Sequence, residues 1–302
     1  MYSEKTQKLA FWLILSAILA YATFWTSEKD ITTLLGVIAS LSLGLSAERL
    51  SQAFVDLTDT TNWMISRRKL MRGGFIDGST PIRISFAYLF RIKIGNKYLL
   101  ILNGRNTGKY QPIGGVYKMS DREKMDLKDR FHVVDDDKLP IDESSRDDYR
   151  LYVPNKYLRS FVRRFDRTAA RESVQDLGRE FREELVDTGI LCWDRIRYRY
   201  CGRHITDLHY EKHFQTFELL LADIVELCPS QSQIADLERL ANHCPEILRL
   251  ASADEIYCMG VKTEEYDLSD SIASHTYKIL QDEEANLLSS PKTGNIYSIK
   301  LR

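Results

Sequence analysis

Arg179-Glu180-Phe181-Arg182-Glu183-Glu184 is the stretch on which the fold reading turns. A helix brings Glu180, Glu183 and Glu184 to one face, because residues three and four apart are helical neighbours. Three carboxylates on one face repel, and a divalent cation that takes hard oxygen ligands, Mg²⁺ or Mn²⁺, removes the repulsion. A solvated helix face with alternating Arg/Glu pairs fits the same six residues. The upstream sequence decides between these readings. Glu172 to Leu185 reads as the strongest helix of the soluble part, with Thr188-Gly189 ending it.

Upstream, Ile82 to Ile94 is rich in β-formers, Gly95-Asn96 is a turn signal, and Lys97 to Leu102 returns as a second strand. Pro112 followed by Gly114-Gly115 marks a sharp bend with close approach of a backbone or ligand. Tyr110 and Tyr117 flank it, placed either to stack on a base or to pack in a sheet. The charged stretch Ser120 to Arg150 contains Asp135-Asp136-Asp137 and Asp147-Asp148, and reads as a solvated insertion. Further strands are expected at Leu151 to Pro154, Arg195 to Cys201 and His213 to Asp223. Helices are expected at Lys156 to Phe165, Gln231 to Ala241 and Ser269 to Leu280. Strands and helices mixed without regular βαβ alternation give an α+β domain. Arg195, Arg197 and Arg199 share one strand face, which is either a phosphate contact or a plain exposed face. The histidines from His204 to His213 lack zinc spacing.

The N-terminus is different in kind. Leu9 to Trp25 is apolar apart from Ser16 and Thr23, Thr26 to Asp30 forms a polar turn, and Ile31 to Ala47 carries no charge. Each run is about 17 residues, at the short end of what crosses a bilayer. A buried soluble hairpin and a signal peptide ending near Ala20-Tyr21-Ala22 are the competing readings; the second apolar run close behind opposes cleavage. Lys5 and Lys8 before the first run, and Arg49, Arg67, Arg68, Lys69 and Arg72 after the second, put both ends in the cytoplasm by the positive-inside rule. Gly36, Ser40 and Gly44 form a small-residue row, suited to helix association or to a packed hairpin. The expected organisation is a cytoplasmic N-terminus at 1–8, a two-helix membrane hairpin at 9–47, a linker helix at 48–74 and a domain at 75–302 with an insertion at about 118–165. The net charge of −1 gives no global field for nucleic acid, so no DNA partner is expected. Five scattered cysteines without CxxC spacing oppose both a disulfide framework and a zinc site.

Taken together, the Gly114-Gly115 turn and the Arg179–Glu184 helix resemble the box of the Nudix hydrolases: a glycine, a downstream glutamate, then Arg-Glu-x-x-Glu-Glu and a closing glycine. Phe181 fits the apolar position of that box. Roughly 60 residues separate the glycines from the helix, a length that normally carries its own structure. The upstream glutamate is due at position 171, where Arg171 stands with Glu172 beside it, and Gly189 comes three residues late. The resemblance implies an α/β/α sandwich around a mixed sheet and Mg²⁺-assisted hydrolysis of nucleoside diphosphates linked to another group. Glu180, Glu183 and Glu184 would hold the metal, Arg179 would brace the loop, and Gly114, Gly115, Tyr110 and Arg197 would meet the nucleotide. Two membrane spans ahead of such a domain resemble the two-transmembrane Nudix effectors of CBASS anti-phage systems. That resemblance implies a homo-oligomer in the bacterial inner membrane that senses a cyclic oligonucleotide and disrupts the bilayer. A membrane-tethered hydrolase is the alternative.

Overall fold

The computed structural model describes residues 7, 10–18, 21, 63–104, 108–138, 145–261, 270–281 and 285–301. Residues 10–18 are helical, and Phe11, Leu13, Ile14 and Ile18 on them are exposed. Among the described residues no helix is long and apolar enough to cross a membrane. The expected second span at 31–47 and the polar turn before it lie outside the described residues, as do 48–62 of the linker helix. The rest of that linker is helical as Trp63–Arg72, and Gly73-Gly74 ends it, with Gly73 N–H donating to Lys69 O.

The chain divides into two compact units, Met1–Arg68 and Lys69–Arg302. The second is an α+β domain built on a mixed sheet. Its central strand β1 (Pro81–Arg91) runs parallel to β10 (Thr216–Leu227), and the other pairings in the sheet are antiparallel. The order is β12 (Ile296–Lys300), β8 (Arg195–Ile205), β10, β1, β7 (Arg150–Pro154) and β6 (Val134–Asp135). The short β5 (Gly114–Val116) adds to β1, and β9 (His209–Glu211) to β10. The turn at Gly95-Asn96 and the strand after it are as the sequence predicts, but the expected first strand, Ile82 to Ile94, is broken after Arg91, so the turn joins the short β2 (Lys93–Ile94) to β3 (Lys97–Leu102). This hairpin belongs to a second sheet, which also holds β4 (Tyr110–Gln111) and β11 (Leu248–Ala251).

Strand β1 is buried on both faces, which explains its nearly unbroken run of β-formers. One face presents Phe86 and Phe90. Phe86 stacks on Phe165 of the helix Leu158–Arg167, with ring centroids 3.7 Å apart. Phe90 lies 5.5 Å from Phe181 of the glutamate helix. The opposite face presents Leu89, which joins Ala222 and Ile224 of β10 and Tyr98, Leu100 and Ala251 of the second sheet in one apolar cluster. The 3₁₀ turn Ser274–Ile279 closes this cluster through Ile279. The sandwich expected from the resemblance therefore has helices on one face and a small sheet with short helical turns on the other.

Three expectations are corrected. The glutamate helix begins at Arg179 rather than Glu172, because residues 173–178 form a loop pinned by Tyr198, whose hydroxyl donates to Val174 O and accepts from Leu177 N–H. The helix expected at the end of the domain is the 3₁₀ turn Ser274–Ile279; of its start, Ser269 lies outside the described residues. The charged stretch is folded into the domain: Glu123, Asp136 and Asp148 are buried. Asp136 accepts from Arg83 at 2.8 Å, and Glu123 from Arg164 at 2.6 Å, so buried ion pairing accounts for carboxylates that composition alone assigns to solvent.

Candidate functional site

Strand β5 and the glutamate helix meet directly. A Cβ on Gly115 would collide with the Glu180 carboxylate, and a Cβ on Gly114 would collide with the Tyr88 carbonyl of β1. The Gly-Gly pair is thus required twice over, once by the sheet and once by the helix. The Gly114 N–H also donates to the Glu184 carboxylate. The roughly 60 intervening residues fold away as a helix, strands β6 and β7 and a second helix, which leaves turn and helix adjacent despite their separation.

Arg179 organises the site. Its Nε donates to Glu172 at 2.7 Å, its Nη1 to Glu180 at 2.5 Å, and its Nη2 to the Val116 carbonyl of β5 at 2.9 Å. Glu183 lies 3.5 Å from Nη1. Glu172 in turn accepts from Lys118 N–H at 2.9 Å, so the brace joins helix, loop and strand end. Glu172 therefore fills the place of the upstream glutamate one residue late, and Arg171 turns the other way, with its guanidinium 3.8 Å from the Phe165 ring centroid.

The helix is α-helical over Arg179–Phe181 and continues as a π-turn over Arg182–Val186, in which Asp187 N–H donates to Arg182 O. A π-turn holds more residues per turn than an α-helix, and it recurs at functional sites. Gly189, at φ +76°, ends the helix in the left-handed region, with Leu191 N–H reaching back to Leu185 O. The late glycine is a longer helix end. Phe181 anchors the helix by stacking on Trp193 as well as packing on Phe90.

The electrostatics fit a cation. Glu184 Oε2 is buried without a hydrogen-bond partner among the described residues. Burial, then the charges of Glu180 and Glu183, push the Glu184 carboxyl up to about 8. Burial also raises Glu180, against the opposing pull of Arg179. Carboxylate oxygens, one of them unpartnered, are the donor chemistry of Mg²⁺ or Mn²⁺. A cleft of ≈ 400 Å³ opens beside the brace, lined by Arg171, Glu172, Arg179, Arg182 and Lys300 among others. Lys300 comes from the last strand, and no local sequence pattern connects it to the box.

The structure brings together Gly114, Gly115, Arg179, Glu180, Glu183 and Glu184. Tyr110 is elsewhere, on β4 of the second sheet, with its hydroxyl donating to Pro245 O at 2.8 Å. Arg197 is exposed on β8 opposite Ser298 of β12. A second acidic group, His209, Glu211 and Glu218, has ligand atoms within 4.8 Å of one another. Glu218 also accepts from Arg83 at 2.9 Å, a guanidinium it shares with Asp136.

No curated protein and no solved structure matches the chain. A family model does: residues 81–280, from β1 to the residue after the 3₁₀ turn, match the model described as the SMODS-associated NUDIX domain. That span contains the glycine turn, the brace and the glutamate helix, and covers most of the chain. The protein belongs to the SMODS-associated Nudix family, a CBASS-linked effector domain.

Proposed function

We propose that this chain is a membrane effector of a CBASS antiviral system. Its Nudix-like domain senses a cyclic nucleotide in the cytoplasm, and its N-terminal hairpin oligomerises in the inner membrane and disrupts it. The observation that carries this reading is the family match, whose description ties the domain to SMODS, the kind of neighbour that would synthesise the messenger. Support from the chain itself is the pair of charge-free apolar runs with basic flanks, and the exposure of Phe11, Leu13, Ile14 and Ile18. Two short spans enclose no pore, so disruption requires several copies. Nucleotide binding would draw the domains together, and the helix ending at Arg72 would pass the change to the hairpin. The test is assembly of the full chain in detergent, followed by light scattering, across a panel of cyclic di- and trinucleotides. Growth in mass with one of them is expected; a chain whose mass no member of the panel changes overturns the reading.

The alternative, a membrane-tethered Nudix hydrolase, is favoured by the preserved acid set. Glu180, Glu183 and Glu184 would hold Mg²⁺, which supplies neutralisation of charge on a diphosphate. Arg179 fixes the glutamate carboxylates and the Val116 carbonyl in one frame. One of these glutamates, or Glu172, would act as the base for water. This reading predicts Mg²⁺-dependent release of a monophosphate that Glu183→Gln abolishes. Absence of turnover on a broad nucleotide panel, with bound metal demonstrated, eliminates it.

A further inference from the structure

The hairpin of β9 and β10 builds a side-chain cluster on the face of the central sheet opposite the glutamate helix. Strand alternation puts His209 and Glu211 on one side of β9, and the register places Glu218 of β10 directly across from His209. Arg83 of β1 stands next in the same row. Alternation along β1 puts Arg83 on the side of Leu89, which packs on the second sheet.

Three ligand atoms converge there. His209 Nε2 lies 3.6 Å from Glu218 Oε1 and 3.8 Å from Glu211 Oε2, and all three atoms fall within 4.8 Å of one another. Neither contact is short enough to be a hydrogen bond. Both approach the spacing of about 3.4 Å between neighbouring ligands of a tetrahedral Zn²⁺, whose bonds to nitrogen and oxygen are roughly 2.1 Å. The other polar atom of each residue is held from outside the cluster. The Asp207 carbonyl can only accept, so at 2.9 Å it fixes a proton on His209 Nδ1 and turns Nε2 inward. Glu211 Oε1 accepts from His213 N–H at 2.9 Å, and Glu218 Oε2 from Arg83 Nη1 at 2.9 Å. Outer contacts of this kind orient metal ligands.

Glu218 supplies the observation that asks for a ligand. It is 4 % exposed, and among the described residues its Oε1 accepts no hydrogen bond. A buried carboxylate oxygen in that state carries a desolvation cost that a cation removes. The nearby cations leave it in that state. Arg83 divides its guanidinium between Glu218 and Asp136. Lys278, whose ammonium the Glu218 charge favours, makes no ion pair with it among the described residues. His209 and Glu211 are partly exposed, so an ion reaches the cluster from solvent.

We propose that His209, Glu211 and Glu218 form a second metal site, which takes a divalent ion of borderline hardness, Zn²⁺ above all, through one nitrogen and two oxygens. The mixed donor set separates it from the all-oxygen glutamate helix, which suits Mg²⁺ or Mn²⁺. Three protein ligands leave a coordination position for water. Local spacing hides the site, because the third ligand arrives by strand pairing across the hairpin loop. The claim depends on neither reading of the glutamate helix.

The test is calorimetric titration of the full chain in detergent with Zn²⁺, after stripping with EDTA and desalting, in excess Mg²⁺ so that the glutamate helix is occupied. Saturable Zn²⁺ binding that Mg²⁺ does not displace is expected, with a rise in Tm, since a ligand of the native state stabilises it. His209→Gln and Glu211→Gln should each weaken the affinity at least about tenfold. Both side chains are partly exposed, so in EDTA these variants should unfold close to the parent Tm. Glu184→Gln should leave the Zn²⁺ affinity unchanged. The rival arrangement, a protonated His209 held between two carboxylates, binds no Zn²⁺. The proposal is overturned if Zn²⁺ does not bind in excess Mg²⁺, or if His209→Gln and Glu211→Gln bind it like the parent. The second result would move the ion elsewhere, for example to the exposed thiols of Cys192 or Cys258.

Discussion

Polar side chains are buried on both faces of one sheet, and they are partnered differently. On one face Glu180 and Glu183 pair with Arg179 beside Glu184, and an oxygen of Glu184 has no partner among the described residues. On the other, His204 Nδ1 and Thr276 Oγ1 are buried without a partner among the described residues, and the acid that acts on Lys278, Glu218, is paired with Arg83. Glu184 keeps its oxygen among carboxylates, which suits a hard cation, and Glu218 keeps one beside the His209 imidazole, which suits a borderline ion such as Zn²⁺. The difference teaches that one central strand pair can present two ligand chemistries, provided the sheet between them is held rigidly.

That rigidity has an identifiable source, and removing it gives the largest expected effect. Asp223 of β10 is fully enclosed and accepts from Arg203 at 2.7 Å, Tyr117 at 2.7 Å and Tyr200 at 2.9 Å. These bonds hold its carboxyl below the ordinary range against the desolvation that raises it. Asp223→Ala leaves the buried Arg203 guanidinium with Asp166, at 2.7 Å, in place of two carboxylates and takes the acceptor from the Tyr117 and Tyr200 hydroxyls, a loss of about 3–5 kcal/mol, measurable by denaturant unfolding. Loss of both ligand responses at once in this variant would show that the two faces depend on a shared frame. Survival of either one separates them.

The glutamate face sharpens next. Mg²⁺ at a hundredfold its Kd should stabilise the full chain by about 2.7 kcal/mol, and Glu184→Gln should remove the effect by taking away the unpartnered carboxylate oxygen. A Tm that ignores Mg²⁺ in the parent chain breaks the comparison at its acidic end.

The nitrogen face should answer to pH instead. His204 is depressed from 6.5 to about 4 in the folded state. A group depressed on folding contributes stability that is complete above its unfolded pKa and is lost as pH falls through the folded one. The window is therefore pH 6.5 down to 4, with a loss of about 1 kcal/mol already at pH 5.5. His204→Gln should reduce the slope of that part of the Tm-against-pH curve, His275, depressed to about 4 as well, carrying the rest; an unchanged slope would place the titrating group elsewhere. The smallest effect belongs to Arg197, exposed on β8 and opposite Ser298. Arg197→Ala should change stability by less than about 0.5 kcal/mol and leave nucleotide binding intact, and weakened binding would return that strand face to the site.

Much of the glutamate site is legible in the sequence because it is local. The spacing of Glu180, Glu183 and Glu184 fixes a common helix face, and Gly114-Gly115 announces a close approach before its partner is known. Two features of that site escape a fixed template. Glu172 reaches Arg179 from a position one residue off, because a loop rather than a helix carries it, and the late Gly189 reflects a π-turn. The charged insertion is misread for a different reason. Composition sends Glu123, Asp136 and Asp148 to solvent, whereas Arg164, Arg83 and Lys118, distant in sequence, hold them inside.

The sequence by itself determined the α+β class, the glutamate helix with its glycine turn, and an N-terminal region unlike the rest, since each rests on periodicity, propensity or spacing within a short window. Only the tertiary structure decided that Gly115 is the floor on which Glu180 rests, that Tyr110 and Arg197 belong to other surfaces, and that His204 meets Tyr277 of the 3₁₀ turn beside Lys278. Those relations join residues up to 135 positions apart. Strand pairing and side-chain packing create them, and neither leaves a periodic trace in the chain.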